Sequence, residues 1–348
     1  MKFFMKTVAL FIPNREKRRA FREKFKKRYG DTNYRLDEID RQLKWMREFM
    51  CAFTDITTAS PARGNVQMQQ AAATRILYLF DIICQEHGLK YWLGAGNLLG
   101  LVRHNGMPVP WDDDVDVYMP RLDYEKAMKI FTKIFMDSGL RIFFRGWSLK
   151  FVCYKDFPVS FDIFPIDQYS KNLATDVEKQ SLLSELNALG SHHPRAKYLE
   201  KSGKGHEGDW FKWAWHGKEE PTPPELLDFY DAEKVRFETE IMRGRKPAPD
   251  GTLMKGFERS GWGEKGGLFW DYNVVFPVKR AVYNGVTINV PNDTDLYLRS
   301  QYGDYWAFPN VFSYSHMASY AKLSPVAIAS ANEWMQMDMN KFYQGLKK

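Results

Sequence analysis

Trp111 to Pro120 reads "WDDDVDVYMP", with four aspartates inside five positions and a strand-forming run directly behind them. Like charges this close repel, and each carboxylate taken from water without a partner costs several kcal/mol. A chain carrying this segment must either leave it in a solvated loop or bring it a counter-charge. Side chains alternate faces along a strand. Continued through the aspartates, that alternation puts Asp112, Asp114 and Asp116 on one side. Asp113 is expected on the other side, with Val115 and Val117. Three carboxylates on one face match the ligands of a hard divalent cation, Mg²⁺ or Mn²⁺, which binds carboxylates together with phosphate oxygens.

The flanking sequence narrows the choice. "LGAGNLLG" sets Gly94, Gly96 and Gly100 after a short strand and at the opening of a helix, with Asn97 between them. Glycines let a backbone approach a phosphate, and a helix start offers free N–H groups. The same glycines also suit tight strand–helix packing. Arg103, at the far end of that helix, is placed to meet a phosphate as a two-pronged donor. Downstream, "FDIFPID" places Asp162 in an apolar strand, as a further metal ligand or as the base for an acceptor hydroxyl. Asp167, past Pro165, reads as a turn or cap residue.

The remaining pattern is α/β with a mixed sheet. Gln67–His87 is a helix stopped by Gly88, and 123–136 is an amphipathic helix. "LRIFF", "LKFVCY" and "VSFDIF" are strands. "VKRAVYNGVTINVP" is a hairpin turning at Asn284-Gly285. "DTDLYLRSQYGDYW" is a helix ending near Gly303, followed by Asp304 as a pocket contact. Four regions follow: a helical arm over 1–56, a catalytic core over 67–168, a helical, aromatic-rich insertion over 170–270, and a completion of the core over 271–348. In the insertion, "DWFKWAWHG" fits either a satellite aromatic core or a cage for a quaternary ammonium.

Charge is concentrated in the arm. The chain carries +7 overall, but residues 1–30 hold 11 Lys and Arg against 2 acids. The rest is close to neutral, which argues against a nucleic-acid-binding face and for a local anchor on an anionic membrane. The arm reads as a basic helix from Asn14 to Gly30. A second helix follows, whose seam of Leu36, Ile39, Leu43, Met46, Met50 and Phe53 is expected to pack on its own chain. No signal peptide or spanning segment is read. Three scattered cysteines fit neither a zinc site nor a disulfide framework, and point to a reducing compartment. The expected location is cytoplasmic, or peripheral on the inner face of the membrane.

Taken together, "YWLGAGNLLGLVRHNGMPVPWDDDVDVYMPRLDYEKA", "FDIFPID" and "YLRSQYGDYW" resemble the LicD family, which includes bacterial phosphocholine transferases and fukutin-related phosphoribitol transferases. The resemblance implies a nucleotidyltransferase-like fold. It implies metal-dependent transfer of a phospho-alcohol, foremost phosphocholine, from a CDP-activated donor to a glycan hydroxyl, with CMP leaving. On that pattern Gly94 and Gly96 fall on the phosphate-contacting turn, and Asp114 and Asp116 on the metal pair. Asp112 is the adjoining acid and Asp162 the third strand carboxylate. Two other classes stay open: a nucleotidyltransferase that moves NMP, and a non-catalytic glycan-binding protein.

Overall fold

The computed structural model describes residues 15–135, 138–144, 149–168, 250–256, 269–308 and 323–347, with four isolated helical residues between 181 and 235. Segment 1–14, the "DWFKWAWHG" cluster, "SHHPR" and Pro309 lie outside the described residues. The chain divides into two compact units, residues 1–56 with 306–311 and residues 57–305 with 312–348.

The smaller unit is built on α1 (Arg15–Phe53), one unbroken helix of 39 residues. The expected stop at Gly30 is corrected here. A lone glycine costs a helix only ~1 kcal/mol, and the flanking Lys, Arg, Glu and Leu residues favour continuation. The expected burial of the apolar seam is also corrected. Leu36, Ile39, Leu43, Met46 and Phe53 are each more than half exposed, as is Trp45. Trp45, Phe49 and Phe53 stack on one another at centroid distances of 5.3 and 4.7 Å, which widens the stripe beyond a two-helix seam. Arg47 Nε donates to the Phe308 carbonyl at 3.3 Å.

The larger unit is an α/β structure around a seven-stranded mixed sheet. In chain order its elements are α2 (Gly64–Glu86), β1 (Trp92–Leu93), α3 (Ala95–Arg103), β2 (Val115–Pro120), α4 (Arg121–Ile134), β3 (Leu140–Phe144), β4 (Leu149–Tyr154), β5 (Phe157–Gln168), β6 (Leu253–Lys255), β7 (Phe269–Trp270), α5 (Tyr272–Val275), β8 (Lys279–Tyr283), β9 (Val286–Val290), α6 (Thr294–Tyr302), α7 (Pro325–Gln336) and α8 (Met339–Leu346). The sheet runs β1-β2-β5-β4-β3. Among the described residues, β2 and β5 are its one parallel pair. β5 is the spine: β2 lies along one edge, and the other edge is shared by β4 near its start and β6 at its end. Leu253–Lys255 and Phe269–Trp270, from the margin of the expected helical insertion, therefore belong to the main sheet.

The core lies where α2 and α4 pack on this sheet. Phe80 of α2, Phe131 of α4, and Phe151 and Phe161 of β4 and β5 meet at centroid distances of 5.3 to 6.1 Å. Burying rings of this size supplies the largest single contributions to such a core. Phe161 and Ile163 of β5 join this core cluster. Alternation then turns Asp162 and Phe164 to the opposite side of the sheet. The separate hairpin β8–β9 turns at Asn284 (φ 47°) and Gly285 (φ 83°), the positive dihedrals a two-residue turn of this kind requires.

Candidate active site

The acidic segment is held in place before its chemistry is considered. Gln70 of α2 donates through Nε2 to the carbonyls of Val109 (2.9 Å) and Asp112 (2.6 Å). Asn97 of α3 donates through Nδ2 to the Asp114 carbonyl at 2.7 Å and to the Tyr283 hydroxyl at 3.1 Å. Its Oδ1 accepts from the Asp116 backbone N–H at 2.6 Å. Asn97, which lies among the glycines of the expected phosphate-binding turn, thus uses its amide to clamp the backbone on both sides of Val115.

β2 begins at Val115, so Asp112, Asp113 and Asp114 precede the strand and alternation does not govern them. The expectation that Asp113 points away is corrected. One carboxylate oxygen from each of Asp112, Asp113 and Asp114 lies within 4.8 Å of the others, and Asp113 is the most buried of the three at 2% exposure. A second cluster with the same spacing joins Asp114, Asp116 and Asp162. It forms because Asp116 and Asp162 are directly opposed in the parallel β2–β5 pair. Asp114 belongs to both clusters.

Asp112 carries the cost of this crowding. Its Oδ2 is buried without a hydrogen-bond partner. Burial, then the charges of Asp114 and Asp116, push its carboxyl well above the usual carboxylate range. Gly96 makes this packing feasible: a Cβ there would lie 2.1 Å from Asp112 Oδ2. The space over Gly94 is filled by the Tyr118 ring, 1.9 Å from an added Cβ, and that over Gly100 by the Met107 carbonyl at 2.6 Å. Close packing by the chain's own atoms accounts for all three glycines. Any phosphate contact in this turn rests with its backbone N–H groups.

Tyr283 and Tyr302 are electrostatically coupled to the cluster, Tyr302 from within the "YLRSQYGDYW" motif and Tyr283 from the hairpin. Burial first, then Tyr118, Asp112, Asp116 and Asp114, raise the pKa of Tyr302; its hydroxyl end is desolvated although the residue is 42% exposed. Tyr283 is raised by burial and by Asp112, Asp114 and Asp116, against the hydrogen bond from Asn97. Two expected contacts are placed elsewhere. Arg103 is buried, and its guanidinium donates to the Tyr305 carbonyl (2.8 Å) and to His104 Nε2 (3.2 Å), which gives it an anchoring role. Asp304 sits exposed on the turn after α6. Asp167 is not a cap but half of a bidentate pair with Arg121, at 2.7 and 2.9 Å.

All the clustered ligand atoms are carboxylate oxygens, a hard donor set that suits Mg²⁺ or Mn²⁺. The crowding at Asp112 is what a divalent cation would relieve. The residues present therefore fit such an ion.

Fold and site define a mixed-sheet α/β protein that clusters carboxylates where the start of β2 meets the middle of its parallel neighbour β5, beside a glycine-rich turn. Among known proteins, residues 88–172 match the model described as LicD/FKTN/FKRP, nucleotidyltransferase domain, and this segment is similar to the LicD family. Over 66 residues it is 41% identical to the lipopolysaccharide cholinephosphotransferase LicD of Haemophilus influenzae, covering 19% of this chain and 24% of that protein. It is 32% identical over 85 residues to an uncharacterized protein of Rickettsia typhi, covering 23% and 27%. The matches span about a quarter of the length of these curated relatives.

Proposed function

We propose that the protein transfers phosphocholine, or a closely similar phospho-alcohol, from a CDP-activated donor to a hydroxyl of a cell-surface glycan such as lipopolysaccharide. The observation that carries this reading is the Asp114, Asp116 and Asp162 cluster, formed inside the segment that matches the LicD family. Asp114 and Asp116, with Asp112 beside them, would hold a Mg²⁺ or Mn²⁺ ion, which when bound would supply positive charge to a diphosphate. Asp162 accepts the proton of the attacking hydroxyl. The hydroxyl oxygen forms a bond to the phosphorus that bears the alcohol as the bond from that phosphorus to CMP breaks. Asn97 and Gln70 fix the acidic segment so that its carboxylates need no rearrangement during the reaction.

Purified protein incubated with CDP-choline and glycan tests this reading by CMP release and by the mass added to the glycan. A phosphocholine increment is expected. A nucleotide increment would establish nucleotidyl transfer instead, and absence of any increment or CMP would support a binding protein. Mass spectra of the glycan from cells with and without the gene identify the alcohol and the acceptor.

The arm supports a location at the membrane surface. Among the described residues no helix is long and apolar enough to cross a membrane. α1 joins a strongly basic first half to an exposed stripe containing Trp45, Phe49 and Phe53. A basic residue near an anionic surface contributes about 1 kcal/mol, and Trp and Phe favour the interface. Full-length protein is expected to co-sediment with anionic vesicles and a form lacking the arm is not; equal sedimentation would remove the idea.

A further inference from the structure

Ala71, Thr74, Arg75 and Tyr78 recur at spacings of three and four and so share one face of α2. That face, the hairpin turn at Asn284 and the first turn of α8 form a pocket of about 460 Å³. A volume of this size lies in the range of small-molecule sites. The pocket shares no residue with the carboxylate clusters. It lies close along α2 to Gln70, the residue that holds the Asp112 carbonyl.

Its polar wall is held in place by the chain itself. Asn284 Nδ2 donates to Thr74 Oγ1 at 2.8 Å, and Thr74 Oγ1 donates to the Gln70 carbonyl at 2.7 Å. The Tyr78 hydroxyl donates to Asn340 Oδ1 at 2.7 Å. These bonds leave the Asn284 side-chain oxygen as an acceptor and the Asn340 amide nitrogen as a donor for a ligand. Arg75 stands among them. Its Nη2 donates to the Met337 carbonyl, and its guanidinium lies 5.7 Å from the centroid of the Trp334 ring. Both partners are neutral. Its Nε is buried without a hydrogen-bond partner. Burial lowers the pKa of Arg75, and Asp338 opposes that shift only weakly. The Asp338 carboxylate is itself taken by the backbone N–H groups of Asn340 and Lys341. An anion seated beside the guanidinium would relieve this desolvated charge.

Val286, Met339 and the Tyr78 ring add apolar surface to the same pocket. Amide donors and acceptors, an aromatic ring and one arginine suit a sugar ring that bears an acid group. We propose that this pocket is a carbohydrate subsite that takes a sugar carrying a carboxylate or a phosphate, with the acid on Arg75 and the hydroxyls on Asn284 and Asn340. The identity of that sugar as a unit of the acceptor glycan rests on the transferase reading, and the subsite lies outside the family match at 88–172.

Full-length protein is titrated by calorimetry with glucuronate, glucose 6-phosphate, glucose and inorganic phosphate. EDTA is present so that phosphate held through a metal does not contribute. Saturable binding of glucuronate or glucose 6-phosphate is expected, the tighter of the two identifying the acid, with glucose and inorganic phosphate clearly weaker. Arg75→Met should weaken the acidic sugar by roughly tenfold or more, the scale of a lost hydrogen bond to a charged group. That change also removes the bond to Met337, so Asn340→Ala, at an exposed position, serves as the second variant. It should weaken binding severalfold with Tm unchanged, and Asp116→Asn should bind as the unaltered protein does. Binding by Arg75→Met or Asn340→Ala equal to that of the unaltered protein would overturn the proposal, as would inorganic phosphate binding as tightly as the sugars. CMP release from CDP-choline with no binding of either acidic sugar would overturn it and leave the transferase reading intact. Binding of an acidic sugar without CMP release would uphold the pocket and sink the transferase reading.

Discussion

Asp81 on α2 and Asp112 before β2 are both carboxylates taken largely out of water, and only Asp81 is neutralised in place. Asp81 accepts from Arg280 Nη1 at 2.5 Å and Nη2 at 2.7 Å, and from the Tyr91 hydroxyl. Arg280 also donates to Asn289 Oδ1 and the Thr287 carbonyl, and the Asn289 N–H donates to the Tyr91 oxygen. Every charge in that network is answered, and its product is attachment of the β8–β9 hairpin to α2. Around Asp112 the neighbouring charges are acids, and one of its oxygens is orphaned. The fold buries one carboxylate with a matched arginine and leaves five crowded in another place, a contrast that supports the proposal of a ligand site there.

The largest effect expected from this contrast is at the unmatched set. Asp114→Asn and Asp116→Asn should each lower CMP-releasing turnover by about a thousandfold or more, the scale of lost electrostatic stabilisation at a reacting group. Their Tm should hold or rise, since each change removes a repelling charge. Normal turnover in either would break the contrast. At the matched set the pattern inverts. Asp81→Asn should cost stability, on the order of 1–3 kcal/mol because Arg280 is partly solvated, while turnover per folded molecule stays unchanged. Denaturant unfolding with activity measured alongside separates the two.

Gly96→Ala sharpens the comparison from the backbone side. Its methyl would sit 2.1 Å from Asp112 Oδ2 and displace that carboxylate. Divalent-ion affinity should fall ~10-fold or more with a smaller loss of stability, as calorimetric titration would show. Acidification should act in two directions. Asp112 lies above its ordinary pKa in the ion-free protein, so its ionised form opposes folding. Falling pH protonates the folded carboxyl first, so this group adds stability to the ion-free protein down toward pH 3.8 while weakening metal binding. His104 contributes the smallest and opposite effect. Burial and Arg103 lower it from 6.5 to about 4, so the unfolded chain takes up the proton first and stability is lost as pH falls through that window. His104→Gln should flatten the acid limb of a stability–pH curve between those values.

Much of this was legible where the signal is local. Asn284-Gly285 specified the hairpin, Gly88 and Gly303 specified helix ends, and strand composition located β3, β4 and β5. Alternation places Asp116 correctly in the apolar rhythm of β2, but it does not extend to the three aspartates before the strand. Asp112, Asp113 and Asp114 precede Val115, where no period operates. Gly30 does not stop α1, because a single glycine is a weak breaker within a long run of helix formers. The clamps depend on chain that returns 39 and 42 residues away for Gln70, and 17 and 19 residues away for Asn97. Side chains of that kind are chosen by tertiary position, and their neighbours in sequence do not mark them.

Mn²⁺ binding, followed by electron paramagnetic resonance on the full-length protein with and without CDP, tests the central claim most directly. The account predicts saturable binding that CDP tightens and that Asp116→Asn abolishes, with Asp81→Asn binding as the unaltered protein does. Equal Mn²⁺ binding by Asp116→Asn and the unaltered protein, or none by either, would contradict it.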